Sequence, residues 1–144
     1  MIKGLLIALA ASFIGSLGFA VLLQAPKKSL IAGAAIGAVS YALYWLLLYF
    51  GVSELLAMFA GAAVGSLLAQ YAARRMRMIA TIFITIAIIP LVPGLALCRC
   101  MTYIAQGESA LGAQVGLNAM QDILMIALGI SVGSLGLHRK KKTG

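Results

Sequence analysis

Apolar residues fill five long stretches of this chain, roughly 2–24, 30–50, 53–72, 79–106 and 109–137. Short polar punctuation separates them: Lys27 with Lys28, Gly51 to Glu54, Arg74 to Arg77, and Gly107 with Glu108. Each stretch holds the ~20 residues that a helix needs to cross a hydrocarbon core of about 30 Å. The fourth is interrupted. Ile79 to Ile89 is only eleven residues, about 16 Å of helix, before Pro90, Pro93 and Gly94 break the pattern at membrane depth. The pattern predicts an all-α integral membrane protein, a bundle of about five transmembrane helices with a Pro/Gly-broken fourth helix. Non-helical backbone at that depth is tolerated only where protein buries it or where it lines a wet cavity, as in the broken helices of transporters.

Composition sharpens this picture. With 144 residues, 63% apolar and three acidic side chains, the chain is excluded from the soluble domains, whose charged share is nearer a quarter. The net charge of +8 does not point to nucleic acid, because the basic residues fall in clusters between apolar stretches and form no stripe on one face. Five spans with an extracytoplasmic N-terminus put nine of the 11 Lys and Arg in the cytoplasm, all but Lys3 and Arg99, as the positive-inside bias requires. The expected location is the cytoplasmic (inner) membrane, multi-pass. The sequence reads as a single transmembrane domain over 1–137 and a basic cytoplasmic tail over 138–144, which with the other basic loops suits anionic lipid. Cleaving the first stretch as a signal peptide would invert the charge rule, so it is kept as a helix. The rival is a four-span chain in which stretches two and three form a shallow hairpin, with Gly51 ending one helix and Ser53 capping the next.

Small residues recur four apart: Gly33 and Gly37, Gly61 and Gly65, Gly112 and Gly116, Gly129 and Gly133. In lipid, close backbone approach through such faces holds helices together. Two or three of these faces suffice for five spans, so a surplus would point to a second chain or a homo-oligomer. Tyr41, Tyr44, Trp45 and Tyr49 read as headgroup-level anchors. Cys98 and Cys100 read as packing residues, poorly spaced for a disulfide and too sparse for a metal site. Ser12 with Ser16, Ser66 with Gln70, and Thr81 with Thr85 are expected to bond between helices.

Two features could carry chemistry. Asp122, midway along the last stretch, shares a stripe about 100° wide with Gln114, Asn118, Gln121, Met125 and Gly129. An ionised Asp there costs roughly 2.5–3.5 kcal/mol, so it should face protein or water. It is a candidate to take up and release a proton, with Asn118 and Gln121 holding it or contacting substrate; the plain alternative is a polar clasp to a neighbouring helix. The second feature is the break. A half-helix starting at Gly94 would present free N–H groups and partial positive charge to a carboxylate, and Arg99 would add a guanidinium or else snorkel to headgroups. Pro90, Pro93, Gly94 and Arg99 are therefore candidate substrate-binding residues. The chain carries no Ser/His/Asp set, phosphate-cradling loop or metal-ligand cluster, so no enzyme, cofactor or metal is expected.

At Ile89 to Gly94, IPLVPG, and the following LALCRCMTYIAQGE, the sequence resembles the C-terminal membrane half of the threonine/serine exporter family. The similarity runs along nearly the whole chain, including Asn118 and the basic end. It implies the smaller subunit of a split two-component exporter, partnered by a larger membrane subunit, with threonine, serine or the dicarboxylate succinate as cargo. The assignments of Asp122 and Arg99 rest on the physical argument alone. Together these readings predict a secondary exporter subunit for a small carboxylate-bearing solute; the alternatives are a non-transporting structural or regulatory subunit and a small ion channel.

Overall fold

The structure, a computed structural model, describes residues 2–138, apart from the side chains of Leu137 and His138. The basic tail expected at 138–144 thus lies outside the described residues beyond His138. Six α-helices follow one another: α1 (Ile2–Leu22), α2 (Lys27–Tyr49), α3 (Glu54–Met76), α4 (Ala80–Ile88), α5 (Gly94–Ala105) and α6 (Ser109–His138), with a short 3-10 turn, Ile89–Leu91, closing α4. Among them α1, α2, α3 and α6 are long and apolar enough to cross a membrane, and α4 with its 3-10 turn forms with α5 a pair bent by 53°, which brings the number of spans to five if the pair is counted as one. The all-α membrane fold with a broken fourth span is as the apolar pattern predicts.

Four tight turns reverse the chain, and all use one device. Val52 N–H donates to Leu47 O at 3.1 Å and Gly51 N–H to Leu48 O at 3.0 Å, the paired bonds of a Schellman turn. The same pair closes α1 at Gln24 and Ala25, α3 at Arg77 and Met78, and α5 at Gly107 and Glu108. Each turn needs one left-handed residue; Gly51 (φ 78°) and Gly107 (φ 86°) supply it freely, whereas Gln24 (φ 53°) and Arg77 (φ 54°) carry a Cβ there. Ser53 stands at the cap position of α3, but its side chain makes no cap bond; instead its carbonyl accepts from Ala57 N–H at 3.0 Å. Short turns make sequential helices antiparallel neighbours, so Lys27, Lys28, Arg74, Arg75 and Arg77 gather at one end of the bundle.

Every glycine pair is consumed within the chain. A methyl group on Gly33 would meet Ile86 of α4; on Gly37, Ser16 of α1; on Gly61, Leu91; on Gly65, Ser40 of α2. Gly112 and Gly116 face Cys100 and Ile104 of α5, and Gly129 and Gly133 press against the α3 backbone at Phe59 and Ala63. The expected surplus of small-residue faces is therefore absent: five spans need all four, because α6 uses one pair for α5 and another for α3. The polar pairs also depart from expectation. Ser66 Oγ does cross to Ile130 O of α6, at 3.3 Å, but Thr85 Oγ1 donates to Thr81 O of its own helix at 2.8 Å, and Ser12 and Ser16 find no partner.

The break is sheltered on one side. Leu91, 2% exposed, packs with Met58, Ala62, Ile88 and Ile126 in a core cluster flanked by Tyr44, and the 3-10 turn touches α1, α2 and α3. Beyond it the chain leaves the body: α5 buries no residue and packs on α6. The first half of α6 meets α5, and its second half meets α3 through Gly129 and Gly133. The α5–α6 hairpin is thus an arm held on α3 through the second half of α6.

Candidate functional site

Pro90 has no N–H and so ends the α4 ladder, leaving the Ile86 carbonyl without its usual donor. Val92 is extended (φ −63°, ψ 128°). Pro93 (φ −75°, ψ 54°) then forms an inverse γ-turn, closed by Gly94 N–H to Val92 O at 2.7 Å. Helix α5 starts at once, with Leu97 N–H donating to Pro93 O at 3.1 Å. The N–H groups of Leu95 and Ala96 belong to its first turn, where no preceding carbonyl can serve them.

A cavity of about 430 Å³ lies between the arm and the body. The break contributes Pro90, Leu91, Val92 and Pro93; the arm contributes Leu95, Ala96, Arg99, Tyr103, Val115 and Asp122; the body contributes Tyr41, Tyr44, Glu54 and Met58. One wall therefore carries the start of α5 and a guanidinium, and the cavity also holds two carboxylates. Among the described residues, no side chain of another helix bonds to Asp122, so the clasp expected as its plain alternative is not formed here. Tyr44 donates its hydroxyl to Glu54 Oε1 at a long 3.4 Å, and the Tyr41 and Tyr44 rings lie 5.8 Å apart.

Of the residues singled out from sequence, Pro90, Pro93, Arg99 and Asp122 come together in this cavity, and Gly94, Asn118 and Gln121 do not line it. Gly94 is exposed at the turn; Asn118, Gln121 and Gln114 are exposed along the flank of α6. Helix rotation explains the split. Gln121 precedes Asp122 by about 100° around the axis and Asn118 lies about 40° to the same side, so when Gly129 and Gly133 seat α6 on α3, Asp122 turns toward the cavity and the amides fall along one flank.

Sequence reasoning passed over Tyr41, Tyr44, Glu54 and Tyr103. Glu54 reads as an acid at a helix start, where it suits the dipole, Tyr41 and Tyr44 read as anchors, and Tyr103 carries no reading of its own. The available signal was the tight turn at 50–53, which folds α3 back along α2 and leaves Tyr44 and Glu54 offset by about 7 Å along the axis, within a tyrosine's reach. The anchor role does suit Trp45 and Tyr49, whose rings stack 6.0 Å apart beside an apolar groove with Ile2, Leu5 and Leu46.

Compared with known proteins, the chain yields no match among curated proteins and none among solved structures. A family profile described as Threonine/Serine exporter, ThrE matches residues 8–135. That match takes in all but the ends of the bundle, the break and the whole cavity lining, and the chain belongs to the threonine/serine exporter family.

Proposed function

We propose that the chain is a membrane subunit of a secondary exporter and that the cavity between the arm and the body is its solute site. Family membership supports export of small solutes. The observation that carries the site is the meeting of a helix break, one guanidinium and two carboxylates in a single cavity. Arg99 and the free N–H groups of Leu95 and Ala96 suit a carboxylate, and Glu54 and Asp122 suit an ammonium group. That pairing favours a zwitterionic amino acid such as threonine or serine over a succinate-like dicarboxylate, whose second carboxylate would meet the two acids. Asp122 is the proton-coupling candidate. Pro90, Pro93 and Gly94 act by shaping the start of α5.

The exposed amides Gln114, Asn118 and Gln121 lie along one flank of the arm. Amides facing hydrocarbon are costly, which supports a larger membrane subunit, or a second copy, seated there and closing the site. The basic end, with Lys27, Lys28 and the three arginines from Arg74 to Arg77, lies in the cytoplasm of an inner membrane beside anionic lipid, and the N-terminus is extracytoplasmic.

The test co-expresses this chain with candidate larger subunits and measures efflux of threonine, serine and succinate, with complex assembly followed by co-purification. Arg99→Gln and Asp122→Asn are expected to assemble and to lose amino-acid efflux. Efflux at the wild-type rate in both variants would remove the cavity as the site, and loss of assembly in both would favour a structural subunit.

A further inference from the structure

Two serines of α1 behave unlike the other described hydroxyls that stand in helix interiors. Ser40, Thr85, Thr102, Ser131 and Ser134 each donate to the carbonyl four residues back, at 2.7–2.9 Å. Ser12 and Ser16 do not, although Ala8 and Ser12 offer the same acceptor; both side-chain oxygens are shielded and unpartnered. Ser16 is fully buried and Ser12 is 8% exposed. A buried hydroxyl without a partner is unfavourable and calls for one.

Both serines line a second cavity of about 260 Å³, bounded also by Ala8, Ala11, Gly15, Tyr41, Ile89 and Pro90. It borders the larger cavity at Tyr41 and Pro90, which line both. Its other walls are apolar apart from Tyr41, and none carries a charge, so it has room for a small uncharged side chain of two or three heavy atoms. A serine turns about one bond between staggered rotamers, which swings either hydroxyl into the space it lines.

We infer that this side chamber reads the solute's side chain: Ser12 and Ser16 pair with its hydroxyl, and Ala8, Ala11 and Gly15 accommodate its carbon atoms. The inference rests on the amino-acid reading of the larger cavity, which holds the carboxylate and ammonium groups. It assigns Ser12 and Ser16 as specificity residues for hydroxylated amino acids.

The experiment measures competition in the assembled exporter between threonine and 2-aminobutyrate, and between serine and alanine, pairs that differ by the hydroxyl alone. Ser16→Ala and the double variant Ser12→Ala/Ser16→Ala are expected to lower the hydroxyl preference by about tenfold while the deoxy solutes still move. Gly15→Val, which fills the chamber without removing either hydroxyl, is expected to lower threonine efflux relative to glycine. Unchanged ratios in all three variants would mean that the chamber holds only ordered water, and would overturn the inference alone. A wild-type complex that exports no amino acid would overturn it together with the reading on which it rests.

Discussion

Substituting Gly129 by alanine probes whether backbone contact between α6 and α3 sets the arm. A methyl group there would lie 2.6 Å from the Phe59 carbonyl oxygen, 2.9 Å from the Ala62 Cβ and 3.1 Å from the Ala63 nitrogen. Ordinary contact begins near 3.4 Å, so the helices must separate by about 0.8 Å, and the obstruction is largely backbone that cannot rotate aside. Overpacking of this kind costs about 1–3 kcal/mol. The gain in helix propensity from Gly to Ala, about 1 kcal/mol at most, offsets part of it, leaving a net loss of up to about 2 kcal/mol and a gap of about 1–3 kcal/mol from a variant that has the gain without the clash. Gly18 provides the control. It lies within a helix with nothing within 4 Å of an added methyl, so Gly18→Ala keeps the propensity gain without the clash and should be neutral to slightly stabilising. Reversible unfolding of the purified chain in mixed micelles, followed by circular dichroism against denaturing detergent, reads both variants on one scale. Equal stability of Gly129→Ala and Gly18→Ala would refute the argument that α6 is held on α3 by backbone proximity.

Other expectations follow from the same geometry. Leu91→Ala empties a 2% exposed position between α3 and α6 and should cost about 2–5 kcal/mol in the same unfolding assay; a loss under about 1 kcal/mol would mean that the 3-10 turn is not core. Gln24→Gly relieves a left-handed residue (φ 53°) and should raise stability by about 1 kcal/mol, whereas a loss would show that the Gln24 side chain makes a contact of its own. Asp122→Asn should accumulate normally and lose the share of efflux that an uncoupler abolishes in the wild type; an uncoupler-sensitive efflux equal to that of the wild type would reassign the proton step.

The helices were legible because hydrocarbon imposes length and turns impose glycine: every stretch between polar punctuation became a helix, and Pro90 to Gly94 broke the fourth where two prolines had to. The site was half legible. Pro90, Pro93, Arg99 and Asp122 announced themselves through chemistry that lipid does not tolerate without reason. Asn118 and Gln121 share a stripe with Asp122 in projection, but the azimuth of α6 is set by Gly129 and Gly133 against α3, a pairing that no single helix reveals. Tyr41, Tyr44 and Glu54 were read by their distance from helix ends, which is the same for a headgroup anchor and for a cavity wall. Only the arm residues that line the same cavity, Arg99, Tyr103 and Asp122, separate the two.

The discontinuity at Pro93 also bears on how the polypeptide enters its bilayer during synthesis. Helix α4, at nine residues, and α5, at 12, are about 14 and 18 Å long, each too short to be integrated alone as a conventional span. The pair must partition together, and α5, which packs chiefly on α6, has no shelter before the final hairpin leaves the ribosome. Biogenesis is thereby weighted toward its last step, and truncation within α6 should leave a nascent chain whose second half is prey to membrane quality-control proteases.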